Sequence, residues 1–193
     1  NRVQTPRMLR CAALTALILV PLAAVVTSAH ADQTDARLDG LFSKLHGTSD
    51  LVEGRRITRQ IRIIWRQTEN DVANNAMANA GLKLYNKQYD AALDSIDQAL
   101  AAAPDYAEAW SRRAAVLYLL GDYSGAMEDI KQTLALEPRH FGALAELGAI
   151  YMQLEEFEAA KRVLLRALEI NPHLAATRRN LEMVERRLAG EPA

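Results

Sequence analysis

The sequence predicts an all-α repeat fold, and three observations carry that reading. A 34-residue period runs through the second half of the chain: Pro104, Pro138 and Pro172 lie that far apart, and so do Tyr89, Tyr123 and Phe157. Three more columns keep the register, namely Ala92, Ala126 and Ala160, then Ile96, Ile130 and Leu164, then Leu100, Leu134 and Leu168. Such a period marks a unit that buries its apolar face only by stacking on copies of itself. The prolines are the second observation, because each lacks the N–H that would continue a helix and pushes the residue before it out of the helical region. The third is amphipathic spacing on both flanks of the periodic region, which supplies closing elements for the two ends.

In chain order, residues 1–31 read as a secretory signal peptide. Arg2, Arg7 and Arg10 precede an uncharged run, Cys11 to Ala29, and Ala29-His30-Ala31 has the small residues of an A-x-A cleavage site. The competing reading is an uncleaved anchor, since 19 uncharged residues can cross a bilayer. Pro21 and the cleavage site favour removal, which places the protein in the periplasm or outside the cell; retention would leave it membrane-anchored. The mature chain would begin near Asp32 with 20 basic and 24 acidic residues, a net charge of −4, and no cysteine.

Residues 32–72 form a helical hairpin. Leu38, Leu41, Phe42 and Leu45 mark its first helix, and Ile57, Ile61, Ile64 and Trp65 its second. Between them Gly47 breaks the chain, and Thr48, Ser49 and Asp50 each suit the N-cap of the second helix. The first helix has the spacing of a repeat helix, so the pair reads as a hairpin docked on the array or as a degenerate repeat.

The five columns resemble the tetratricopeptide repeat, in which each unit is a helix A, a tight turn and a helix B. With proline at position 32, the units are 73–106, 107–140 and 141–174. The resemblance implies a right-handed hairpin solenoid with small residues where helices meet closely. Those positions hold Ala80, Ala114 and Gly148, the alanine column named above, and Ala99, Thr133 and Ala167. A larger side chain at such a position would overpack the contact by about 1–3 kcal/mol. Gly121 sits in the A-to-B turn of the middle unit, where the outer units have Lys87 and Glu155 without glycine's freedom in a left-handed turn. The large residues expected in helix A are weakest in the first unit, with Ala76, Asn79 and Lys83. Residues 175–193 close the array as a capping helix and tail, with Leu181, Val184 and Leu188 on its apolar side and Gly190 and Pro192 at its end.

Several function classes drop out. With 23 basic and 24 acidic residues the chain lacks the excess positive charge of a protein made to neutralise nucleic acid, and one cysteine with four histidines does not suit a structural zinc cluster. No nucleophile, metal or phosphate-loop motif is present, so the reading is a non-enzyme without cofactor. His46 at a helix end and His140 and His173 in turns read as solvated polar residues, and most of the carboxylates as polar helix faces.

The expected partner is a protein or peptide. Family resemblance places positions 2, 5, 9, 12 and 13 of each helix A on the concave face. These are Asn74, Met77, Gly81, Leu84 and Tyr85 in the first unit; Glu108, Ser111, Ala115, Tyr118 and Leu119 in the second; and Gly142, Ala145, Ala149, Met152 and Gln153 in the third. Tyr and Met suit a peptide groove, although helical rows such as Leu84, Tyr118 and Leu119 equally suit a core. The carboxylate clamp of chaperone co-factors in this family is absent, because its positions hold Met77, Gly81, Gly142 and Glu146. Arg112 remains as the candidate for an acidic contact. An alternative surface is the row Arg55, Arg59, Arg62 and Arg66, which follows i, i+4, i+7, i+11 and would meet anionic lipid or an acidic partner; it also reads as a solvated stripe.

Overall fold

The computed structural model describes residues 35–190; the expected leader, and Pro192 in the tail, lie outside the described residues. Among the described residues the chain forms nine helices: α1 (Arg37–Gly47), α2 (Leu51–Trp65), α3 (Asp71–Tyr85), α4 (Tyr89–Ala102), α5 (Ala107–Leu120), α6 (Tyr123–Leu136), α7 (Phe141–Gln153), α8 (Phe157–Ile170) and α9 (Ala175–Leu188). Helices α3 to α8 pair as the three expected hairpins, and α9 packs on α8.

Local chemistry sets the boundaries. Of the three candidate caps before α2, Asp50 serves, its carboxylate accepting the Val52 N–H at 2.7 Å. Asn70 caps α3 by accepting the Ala73 N–H at 3.0 Å, and its amide donates to the Ala102 carbonyl at 2.8 Å, which ties the start of the first hairpin to its end. The A-to-B turns all use left-handed backbone, with Gly121 at φ 82° and Lys87 and Glu155 each at φ 57°. The two outer units therefore accept the strain that glycine spares the middle one.

Packing follows the small columns. Ala80, Ala92, Ala99, Ala114, Ala126, Thr133, Ala160 and Ala167 are fully buried. A Cβ on Gly148 would run into the Leu164 side chain, so even alanine is too large at that crossing. The first helix A forms without large residues at the three weak positions, and Ala73, Ala76, Met77 and Ala80 make its buried face. At the far end Leu181 and Val184 of α9 cover Ala160 and Leu164, which closes the stack.

The hairpin α1–α2 does not add a unit in front of α3. Its core of Leu38, Phe42, Leu45, Ile57, Ile61 and Trp65 is completed by Phe141, Ile170 and Leu174 of the third unit. Helix α2 therefore crosses the B-to-A turns one after another. The Tyr106 hydroxyl of the first turn donates to the Arg66 carbonyl at 2.6 Å, the Trp65 ring stacks on His140 of the second at 4.3 Å, and the Asn171 amide of the third donates to Thr58 Oγ1 at 3.0 Å. Gly54 lies flat against the His173 ring, where a Cβ would collide. Arg139 reaches Asp39 at 2.6 Å while its guanidinium covers the Phe42 ring at 4.5 Å.

One expectation needs correction. His140 is 3% exposed, and His173 is partly buried with its Nε2 enclosed, because docking of α2 covers turns that would otherwise face water. Two carboxylates depart from the wet faces expected of most: Asp129 is 4% exposed and Glu137 2%. Arg113 holds Asp129 through two 2.8 Å contacts, and Arg139 holds Glu137 at 3.1 Å. Paired in this way, a buried charge avoids the full cost of leaving water.

Candidate binding site in the concave groove

Where α2 meets the N-terminal halves of α5 and α7, the concave face deepens into a pocket of about 420 Å³. Helix α2 contributes Arg62, Trp65 and Arg66, α5 contributes Ser111 and Arg112, and α7 contributes Glu146. The pocket has one carboxylate at its centre. Glu108 takes Arg112 at 3.0 Å, Arg66 at 3.7 Å and His140 Nε2 at 3.4 Å. His140 also caps α7, its Nδ1 accepting the Ala143 N–H at 3.0 Å, which leaves Nε2 to present a proton to Glu108. Burial by itself would raise the Glu108 carboxyl, but the His140 hydrogen bond and the Arg112 charge outweigh it and hold the group below its ordinary value.

Glu146 differs. It makes no hydrogen bond or ion pair among the described residues, and burial, reinforced by the Glu108 charge, pushes it up to about 7. Near neutral pH, then, three guanidinium groups face one fully ionised carboxylate and one that is partly protonated. The pocket carries net positive charge and suits an anionic group.

Of the residues expected on the concave face, Glu108, Ser111 and Arg112 line this pocket, as do Leu84, Ala115 and Gly142. Others are withdrawn. Met77 is 5% exposed within the core of the first hairpin. Asn74 is engaged with the Thr68 backbone, donating to its carbonyl at 2.7 Å, and so pins the link between α2 and α3. Tyr118 packs toward Tyr123 with ring centroids 5.7 Å apart, and Met152 packs beside Phe157 and Leu168 against the cluster under α9. Tyr85 is 87% exposed, Gln153 is exposed and Ala145 half-buried, and none of the three lines the pocket. The arginine row divides: Arg62 and Arg66 enter the pocket, while Arg55 and Arg59 stay exposed outside it.

Trp65, His140, Phe141 and Glu146 had no place in the expected site. His140 is not one of the residue types that mark a helix start, and its cap on the Ala143 N–H is visible only in the structure. Trp65 carried no signal either, because its partner lies in a turn about two repeats away.

The comparisons agree with this architecture. Tetratricopeptide repeat models match residues 117–179 and residues 77–132. A TPR repeat-containing protein of Rhizobium etli is 38% identical over 86 residues, which are 45% of this chain and 42% of the relative, so the chain matches less than half of that protein. Among solved structures, the Sgt2 TPR domain of Aspergillus fumigatus shares 25% identity at a TM-score of 0.58, over 63% of this chain and 85% of that one. The first TPR of Spaghetti (RPAP3), bound to the HSP90 peptide SRMEEVD, matches at a TM-score of 0.60 and 23% identity over 63% and 96% of the two chains. The TPR2B domain of yeast Sti1, in a complex with pHsp70, matches at 0.56 and 19% identity over 60% and 97%. The helical hairpins that the period announced are thus those of a known repeat, and through residues 77–179 this chain belongs to the tetratricopeptide repeat family.

Proposed function

We propose that this protein is a non-enzymatic, exported scaffold that binds a protein or peptide segment in its concave groove and grips an acidic group of that segment with Arg62, Arg66 and Arg112. One observation carries the reading: guanidinium groups from two separate elements, the docked hairpin and the second repeat, converge on a single half-open pocket. Charge-assisted hydrogen bonds of this kind contribute about 1.5–3 kcal/mol each. The fold neighbours described with HSP90 and Hsp70 peptides support peptide capture as a use of this architecture. The clamp positions of the chaperone co-factors are not basic here, so the grip is moved toward the hairpin. Export rests on the leader pattern of residues 1–31.

The test is cross-linking of native partners to the protein and to an Arg62→Gln, Arg112→Gln variant with unchanged circular dichroism. At least tenfold weaker capture is expected from the variant; equal capture would overturn the groove reading. Affinity should also fall between pH 6 and pH 8. Over that range Glu146, which titrates near 7 among Arg62, Arg66, Arg112, Glu108 and His140, gains the charge that repels an acidic ligand.

A further inference from the structure

The hairpin has a second face, turned away from the groove, that the pocket leaves unused. On α1, Arg37, Gly40, Leu41 and Lys44 follow i, i+3, i+4, i+7 and line one wall of a cleft of about 560 Å³, whose other wall includes Ile63 of α2. Nothing would meet a Cβ on Gly40, so the cleft is open there. Along α2, Val52, Arg56, Arg59 and Ile63 follow i, i+4, i+7, i+11 on one side, and Val52 is 68% and Ile63 49% exposed. Arg37 and Arg56 are held by Asp35 and Glu53, whereas Lys44 and Arg59 make no ion pair among the described residues. Charge is distributed unevenly as well. Residues 35–66 hold seven basic and four acidic side chains, and residues 67–190 hold thirteen basic and eighteen acidic.

We propose that this outer face rests on an anionic lipid surface, with Val52 and Ile63 entering the headgroup layer beside the half-buried Leu41, and Lys44 and Arg59 meeting lipid phosphates. Exposed aliphatic side chains interleaved with unpaired cations are the composition that interfacial helices use. Where the leader is retained, the chain outside the structure points the same way. The uncharged run Cys11 to Ala29 ends eight residues before Arg37, and eight residues span at most about 28 Å. Any membrane that engages that run lies within reach of the wall that begins at Arg37. The inference is independent of the groove, and it replaces the whole arginine row as the membrane contact, since Arg62 and Arg66 belong to the pocket.

The experiment uses the full chain with Cys11→Ser and a polarity-sensitive dye on Ile63→Cys, with Val52→Cys as a second site and the exposed Leu165→Cys of α8 as control. The probe is vesicles of 30% phosphatidylglycerol in phosphatidylcholine, some carrying a shallow spin-labelled lipid. Positions 63 and 52 should brighten at least twofold and be quenched by the spin label, and position 165 should not. Changing Lys44 and Arg59 to Gln should cut the response at least threefold even where the N-terminal run keeps the protein on the vesicle. Dyes at 63 and 52 that stay water-exposed would overturn the proposal, as would an equal response on neutral lipid. So would the same brightening by soluble polyglutamate without vesicles, which would reassign the face to an acidic protein partner.

Discussion

The interfaces within the repeat stack and the interface between the stack and the docked hairpin are built on different principles. Inside the stack, contacts are made by fully buried alanines recurring at one offset, and each hairpin meets the next in the same way. The hairpin instead docks through large groups of unlike kind. Trp65 lies on His140, Arg139 covers Phe42 and bonds Asp39, and Gly54 makes room for His173. The second interface is also less complete in its hydrogen bonds, because Trp65 Nε1 and His173 Nε2 are buried with no partner among the described residues. A buried donor or acceptor left without a hydrogen bond costs about 1–3 kcal/mol. The hairpin is therefore an attachment of a different kind from the repeats, and it supplies two of the pocket's three guanidinium groups.

The largest expected effect tests that separation. Trp65→Ala should remove about 3–5 kcal/mol of packing from the hairpin interface. Hydrogen exchange should quicken across residues 37–66 while helices α3 to α8 keep their protection; uniform loss over both regions would show that they unfold as one. Next comes Arg113→Ala, placed inside the stack, which leaves the buried Asp129 without its guanidinium. Discounted for the partial exposure of Arg113, the loss should be about 2–3 kcal/mol in urea unfolding, and here the repeats themselves should weaken.

A smaller, pH-dependent effect marks the junction of the two regions. The folded Glu146 titrates near 7 against an ordinary value of 4.5, so between those values the native state keeps a proton that the unfolded chain has lost. Its contribution to stability therefore declines as pH rises through that window, and the cost is complete above pH 7. Glu146→Gln should raise stability by about 1–2 kcal/mol at pH 8 and leave it unchanged at pH 4.5. Glu108 has the opposite sign: its lowered folded value adds stability at neutral pH that is lost on acidification below its ordinary value of 4.5. Urea midpoints of the two proteins across this range would measure the Glu146 part. The smallest changes are in the turns. Lys87→Gly and Glu155→Gly should each add up to about 1 kcal/mol by relieving left-handed backbone, and Gly121→Ala should remove a similar amount, as thermal melts would register.

Much of the stack was legible before any coordinates. The alanine columns, the three units, the capping helix and both helices of the hairpin follow from spacing, because spacing within a helix or between neighbouring hairpins is a local quantity. Groove residues were legible only in part. A row such as Asn74 and Met77 occupies the same register positions as Glu108 and Ser111, yet the first pair turns to a loop and a core while the second lines the pocket. Register tells which side of the helix a residue occupies, and the neighbours that happen to cover that side decide its use.

By itself the sequence determined the repeat, since a period with small residues at the crossings permits one way of nesting the hairpins. Only the tertiary structure decided where the hairpin lies and hence what the pocket contains. Asp39 meets Arg139 across 100 residues and Thr58 meets Asn171 across 113, and no periodic pattern links such positions. These contacts form because the apolar side of α2 buries the row of turns that the finished stack presents, and that row exists only after the stack has folded.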